Sequence, residues 1–549
     1  MYPGPERKVL KGRLARFDET WALGQPAGRM QLNSIYPLGF VCLSTLVADA
    51  QSTFNTINTN RTLKSLSRDE CVRMAVEHNL RIQVLQFDPN LRRFELEAAK
   101  GFYDPSFTSE YRRSSSSREG SVDPQTGLTG SSTTSDEDRF TPGLGGFVPT
   151  GMRYDLMGDF RHTRGMSGDS FDDYSASAGI QMDQPLLRNF WIDAPRTEIQ
   201  VRKRELKISE VLLEQEIRLV VLDVHLLYHE LMFSLGDQTV KQKAYEVATN
   251  FVAEQRAKVA VGNLAEIEVK QAESQAATSL TDLIEAQRRV IAAGNALKNL
   301  VTDEYQNWLN VRIEPTEKLV AVPERLDLSE SWASALAQRP DLMRLELQGE
   351  ILELERRRWY NQLFPDLNVN GGYGRSGLDR SFSSPGTTNS PPIDYNARLG
   401  PALDDIAKAR NERWNVGFLF RLPLSRQVER NRYKASKEEE KKNQTLLKQL
   451  HQSILLEVDN AIDQARSNYE RVSSTRQARV FAEVALEAEE KKLAAGTGTI
   501  FQVLQRQKDL TQARSDEIRA LTDYLNSLTL VHHRDGSILQ REKVSIRYK

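Results

Sequence analysis

The 549 residues carry 74 Lys plus Arg against 75 Asp plus Glu, a balance that offers neither a basic field for nucleic acid nor an acidic tail. Hydrophobic content of 39% beside 27% charged residues is lean for a large globular core and fits long helices that bury only a narrow stripe. With two cysteines, Cys42 and Cys71, the chain has no disulfide framework.

In chain order, the first readable segment is IYPLGFVCLSTLVADA (35–50), an apolar run ending in Ala48-Asp49-Ala50, a small-x-small cleavage pattern. It predicts an export signal over residues 1–50, cut before Gln51, with translation starting at Met1 or Met30. Val41 precedes Cys42 where lipidation requires a small residue, so no lipid anchor is expected, and cleavage leaves Cys71 alone. No later segment reaches the roughly 18 uncharged apolar residues of a spanning helix. The nearest, residues 211–233, is interrupted by Glu214, Glu216, Arg218, Asp223 and Glu230. Membrane residence would therefore require strands.

Helical patterning follows over 68–100 until Pro105, and the alternation Phe107, Ser109, Tyr111 reads as a strand. A Ser/Gly/Thr-rich stretch, 112–146, reads as a solvated loop. Tyr154, Leu156, Gly158, Phe160 alternate as an extension of the hairpin, and Ala176, Ala178, Ile180, Met182 form its return strand before Pro185. From Pro195 to Gly262 the chain is helical, with Gly236 as the one breaker; a second helix follows to about 301. Helices this long must pack side by side as a bundle, coiled coil or tube.

The second half repeats the order. Helical patterning over 329–361 ends before Pro365; Leu367, Val369, Gly371, Tyr373 and Trp414, Val416, Phe418, Phe420, Leu422 alternate as strands around a polar loop, 375–401. Helices then run over about 434–495 and 499–532. Ala75 matches Ala335 and Pro105 matches Pro365, both pairs 260 residues apart, while Pro185 matches Pro423 at 238. The shrinking offset places the insertion-tolerant region between the matched prolines. The chain thus divides into a first repeat, 51–325 (hairpin about 105–184, helical hairpin about 195–301), a second, 326–540 (about 366–422 and 434–532), and a tail, 541–549.

One gesture occurs twice: RAKVAVGNLAEIEVKQAE and KKLAAGTGTIFQVLQRQ each break a helix at a glycine and resume it. Together with the doubled order and the junctions DQPLLRNF and LPLSRQV, these stretches make the chain resemble the TolC-type outer-membrane efflux proteins over about 66–540. The resemblance implies a mixed α/β membrane protein: an outer-membrane β-barrel, four strands per protomer closed as a homotrimer, continuous with a long α-helical periplasmic barrel. It implies an exit duct served by a periplasmic membrane-fusion adaptor and an inner-membrane pump or ABC exporter. Pro105, Pro185, Pro365 and Pro423 become strand–helix junctions; Gly262, Asn263, Leu264, Gly496, Thr497 and Gly498 become the tips where the adaptor docks.

The family's acidic constriction after the second glycine turn is replaced here by Gln502 and Gln505, leaving Glu266 and Glu268 after the first turn as its candidates. A ring of three Glu268 side chains would select by charge. The seven histidines are scattered; His225 and His229 stand at i, i+4 without a third ligand and His532-His533 lie near the tail, so neither enzyme chemistry, metal nor cofactor is expected. The competing reading is a non-membrane periplasmic coiled-coil scaffold or adaptor-like protein, which accounts for the helices and leaves the repeated strands unexplained.

Overall fold

The computed structural model describes residues 62–543, apart from 121, 123, 128, 129, 131, 168, 263, 264 and 384–395. The expected export signal with Ala48-Asp49-Ala50, Cys42, and the tip residues Asn263 and Leu264 lie outside the described residues.

Strand β1 (Thr62–Leu66) pairs in parallel with β6 (Val311–Pro315) and lies at the edge of the main core. Helices α1 (Arg68–His78), α2 (Leu80–Leu85) and α3 (Phe87–Lys100) follow β1. Where one helix over 68–100 was expected, Asn79 interrupts it: its backbone is extended, its carbonyl oxygen accepts from Arg81 N at 2.9 Å, and its Nδ2 donates to Leu300 O at 3.0 Å. The second expected helix is likewise divided into α6 (Leu328–Gln338) and α7 (Pro340–Asn361), because Pro340 forces the preceding Arg339 into the extended region. Ala75 and Ala335 are fully buried, and each accepts a hydrogen bond from the N–H four residues on, at Asn79 and Arg339.

The long elements are α4 (Ala194–Ala260), α5 (Glu266–Val301), α9 (Gln427–Ala494) and α10 (Ile500–Arg534); the short α11 (Ile538–Arg541) closes the described chain. Gly236 does not break α4. α10 lies close beside it, for a Cβ there would meet Ile518 Cγ2 at 3.2 Å. The main core gathers Leu213, Val221, Tyr228, Leu231, Leu297 and Ile313, with Cys71 fully buried and its thiol pushed up to about 12 by burial. One window of α4 is long and apolar enough to cross a membrane by composition, but 61% of it is buried in this core.

The larger sheet runs β2 (Ser106–Arg118), β3 (Thr133–Phe147), β4 (Arg153–Ser167), β5 (Asp169–Pro185), β7 (Asp366–Ser383) and β8 (Glu412–Arg421), antiparallel throughout. It has six strands where four were expected, and much of the expected loop 112–146 is strand. Low apolar content rules out a packed core, but an antiparallel ladder is held by backbone hydrogen bonds and cross-strand pairs, which polar residues supply equally well. Tyr111 Oη, for instance, donates to Asp138 Oδ1 at 2.8 Å across β2 and β3. In the second half, β7 continues through Ser383 and helix α8 (Leu399–Ala407) packs on it so closely that Gly377 has no room for a Cβ beside Ala402 O.

The junction prolines flank or end strands and do not begin helices. Pro185 is the last residue of β5, and α4 starts at Ala194, with Asp193 accepting from Arg196 N at 2.9 Å and Pro195 in the first turn. The intervening segment turns through Asn189 (φ 63) and Trp191 (φ 57) and is stitched to the end of α7. There Arg188 Nε donates to Gln362 Oε1 at 2.7 Å, and Asn189 N to Asn361 Oδ1 at 2.7 Å. Pro423 follows β8, and Arg426, at φ 45, donates to Leu363 O before α9 begins. Pro105 and Pro365 each directly precede a strand, β2 and β7.

Candidate functional site

The helical hairpins α4–α5 and α9–α10 lie side by side, and α4 and α10 are antiparallel neighbours. Asp237, 23 residues before the end of α4, accepts from Ser515 Oγ at 2.7 Å, and Ser515 lies 15 residues into α10. These are about 35 Å and about 22 Å of helix, so both glycine turns lie at the same end of the helical body. A cavity of about 230 Å³ nearer that end is lined by Val247, Gln275, Leu486 and Lys508, one from each helix.

At the second turn the N–H groups of Gly496, Thr497, Gly498 and Thr499 all find acceptors. Gly496 takes φ +75, its N–H donates to Leu493 O at 3.1 Å, and Thr497 N–H donates to Lys492 O at 3.0 Å, the paired bonds of a Schellman motif. Gly498 N–H also reaches Lys492 O, at 3.1 Å, and a Cβ on Gly498 would stand 3.0 Å from Leu493 N. Here glycine is needed for close approach, and at Gly496 for its backbone angle. Thr499 then opens α10 with a capping box: Gln502 N donates to its hydroxyl at 3.3 Å, and its own N–H donates to Gln502 Oε1 at 3.2 Å. Gln505 Nε2 donates to Asp509 Oδ1 at 2.9 Å. Both glutamines named for the constriction are thus engaged within their own helix.

The first turn is described at Gly262 and from Ala265 onward. Gly262 has φ +78, donates to Val259 O at 2.9 Å and has open space where a Cβ would stand. Ala265 caps α5 without any side-chain hydrogen bond, and Glu266 and Glu268 occupy the first turn. Two carboxylates at a helix N-terminus complement its dipole in place of a cap. Neither forms an ion pair among the described residues. Glu273, one turn further on, is held by Arg256 at 2.6 Å and Lys270 at 2.9 Å, and the hydrogen bond from Arg256 leads in lowering its carboxyl below the usual range. The turns also carry exposed apolar side chains that the glycine pattern did not single out: Val261, Ile267 and Phe501, each at least 64% exposed. Their signal was in the sequence, as the apolar neighbours of V-G, E-I-E and T-I-F.

In the part nearer the helices the sheet separates its chemistry by face, while further out the same apolar side carries Arg164 with Asp138 at 3.6 Å and His162 with Asp172 at 2.6 Å. A single cross-strand row passes through Phe107, Leu144, Leu156, Ile180, Tyr373 and Trp414. The same face continues through Phe140, Phe160, Val416 and Phe418, and Trp414 and Phe418 are both 73% exposed. The opposite face is polar and ion-paired: Arg139 with Asp159, Arg161 with Glu137 at 3.4 Å, and Arg380 with Asp173 at 2.9 Å.

His225 and His229 belong to the buried part of α4. His229 is buried, its ring nitrogen 2.9 Å from Asn526 Oδ1, and burial pushes it down to about 4. His225 faces Glu542 at 3.3 Å, and among the described residues no cluster of three metal-ligating side chains occurs.

Comparison with known proteins bears on this geometry. Residues 332–532 match the model of the family Outer membrane efflux protein. The outer membrane protein TolC of Escherichia coli (strain K12) is 20% identical over 411 residues, 72% of this chain and 75% of TolC. Among solved structures, the outer-membrane channel OprN superposes with a TM-score of 0.61 at 14% identity, covering 86% of this chain and 90% of that one. The Campylobacter jejuni CmeC outer membrane channel gives 0.59 at 15% identity, with 86% of each chain covered. The chain is thus similar to the TolC-type outer-membrane efflux proteins, matching the family's pattern in residues 332–532 and sharing the fold of these channels over most of its length.

Proposed function

We propose that this protein is the exit duct of a tripartite efflux or type I secretion system, set in the cell outer membrane with its helices in the periplasm. It passes substrates outward without acting on them chemically. The observation that carries this reading is the two-faced sheet joined to long helical hairpins. Apolar side chains such as Trp414 and Phe418 stand exposed on one face and ion pairs line the other, as the wall between lipid and a watery lumen requires.

The edges of that sheet set the assembly. β2 and β8 each pair on one side only. An open strand edge is not tolerated in hydrocarbon, where each unsatisfied backbone group costs several kcal/mol. Copies of the chain must therefore join edge to edge, and the family resemblance supports three of them. The two halves, meeting near 325/326, form an internal two-fold repeat, each supplying strands to the wall and one hairpin to the tunnel. At the tips, Gly262 and Gly496 to Gly498, with Val261, Ile267 and Phe501 around them, offer small and apolar surface to the helical hairpin of a periplasmic adaptor. Glu268 narrows the mouth and favours cations.

Single-channel recording of the purified, detergent-extracted protein in planar bilayers tests the duct. Stable openings are expected; well-folded protein that forms no pore would instead support the coiled-coil scaffold.

A further inference from the structure

The strand count bears on what such a duct can pass. The hairpin formed by β3 and β4 leaves the end of β2 and returns to the start of β5 at the same edge of the sheet, so it could be absent without altering the connection of the remaining strands. It is nevertheless built as wall in its part nearer the helices, while further out its apolar face carries Asp138, His162 and Arg164. β3 pairs with β2 along all 13 residues of that strand, and β4 pairs with β5 from Arg153 to Ser167. The apolar row crosses it without a gap, through Leu144 and Leu156, and Phe140 stacks beside Phe160 at 6.2 Å on the same face. Its other face carries the ion pairs Arg139–Asp159 and Glu137–Arg161, continuing the polar side found at Asp173 and Arg380. A surface loop over a barrel mouth has no reason to keep one face apolar and in line with its neighbours.

We infer that the β3–β4 hairpin is a structural part of the barrel wall, so that three copies of six strands close an eighteen-stranded barrel with a lumen suited to bulky, hydrated cargo. This rests on the trimeric duct proposed above. Barrel diameter grows roughly linearly with strand number, so eighteen strands in place of twelve enlarge the lumen cross-section about twofold.

Cryo-electron microscopy of the full-length protein in lipid nanodiscs tests this by counting strands at the level of the apolar row. Eighteen strands, with 133–167 in the wall, is the expected result. A closed trimeric barrel of twelve strands with 133–167 lying off the wall overturns the inference and leaves the duct standing. A monomer, or a sheet that does not close, removes the duct reading itself. A variant lacking 133–167 adds a functional readout in planar bilayers, through the largest polyethylene glycol that enters from the outer side. Its cut-off should fall, and an unchanged cut-off in a folded trimer overturns the inference. If the deletion does not fold, the strand count of the natural chain decides alone.

Discussion

The two helical hairpins solve one geometric problem with opposite distributions of polarity. α4–α5 buries charge in its body and starts its second helix without a side-chain cap: Asp237 is only 2% exposed, bridged to Arg289 at 2.7 Å, while Ala265 makes no capping hydrogen bond. α9–α10 keeps mostly amides and hydroxyls in its body, such as Asn468, Thr522 and Ser527, and caps its second helix through Thr499 and Gln502. Asp237 also accepts from Ser515, so the ionised body of the first hairpin is fastened to the neutral body of the second. Similar helical lengths therefore do not imply similar responses to mutation.

The largest expected effect breaks the pair between Asp237 and Arg289. Arg289→Met leaves the buried Asp237 carboxylate with Ser515 as its described partner; because Arg289 itself is 40% exposed, the loss is that of a hydrogen bond to a charged group, about 1.5–3 kcal/mol. Asn468→Ala, which removes bonds to Gln464 and to Asp523 O in the second hairpin, should cost about 1 kcal/mol. Denaturant titrations of both variants measure the contrast directly; equal losses would abolish it.

Acidification should affect both hairpins alike. His229 on α4 and His533 on α10 are each pushed down to about 4, chiefly by burial. Above about pH 6.5 both are neutral in folded and unfolded chains. As pH falls from there toward 4, the unfolded chain takes up protons that the folded one refuses, so stability declines by about 2 kcal/mol per histidine at pH 5. Melting temperature followed from pH 7 to 5 should fall less in His229→Gln than in the natural protein, and a parallel slope would remove this histidine from the account.

How much of this was legible in the sequence follows from what each element depends on. The long helices and the glycine turns announce themselves locally, through period, cap and backbone angle, and Gly262 and Gly496 stand where the pattern put them. The return strand of the second half was equally plain, since Trp414 to Phe420 alternate without interruption. What composition concealed was β3 and the outer part of β2. Ser114 to Ser117 face Glu137 to Thr134 across a ladder whose partners lie some twenty residues apart, and nothing in either run alone signals the other. The charge network was hidden for a related reason: Asp237, Arg289 and Ser515 are ordinary helix residues until three helices meet. Gln502 was read through its likeness to a pore position, whereas its spacing from Thr499 is itself a capping signature.

Smaller effects are expected at the turns, where the hairpins differ most visibly. Thr499→Ala should loosen the start of α10 by about 1 kcal/mol, and Ala265→Ser should tighten the start of α5 by a similar amount. Amide hydrogen exchange over the first turns of α5 and α10 resolves both. Opposite changes confined to those turns are expected; a spread into the hairpin bodies would mean the caps matter to the whole bundle.

The finest distinction concerns charge at the mouth. Thr499→Ala alters the second turn without changing its charge, whereas Glu268→Gln removes an anion that has no ion-pair partner among the described residues. If Glu268 faces the lumen in three copies, the ratio of cation to anion permeability should fall several-fold in Glu268→Gln and stay constant in Thr499→Ala, at nearly equal conductance. The field of such a ring is screened over about 10 Å at 0.1 M salt, so the difference should be widest in dilute electrolyte and shrink toward 1 M. Pores indifferent to Glu268→Gln at low salt would keep the duct and discard the acidic ring, leaving Glu266 and Glu268 to offset the helix dipole that Ala265 cannot cap.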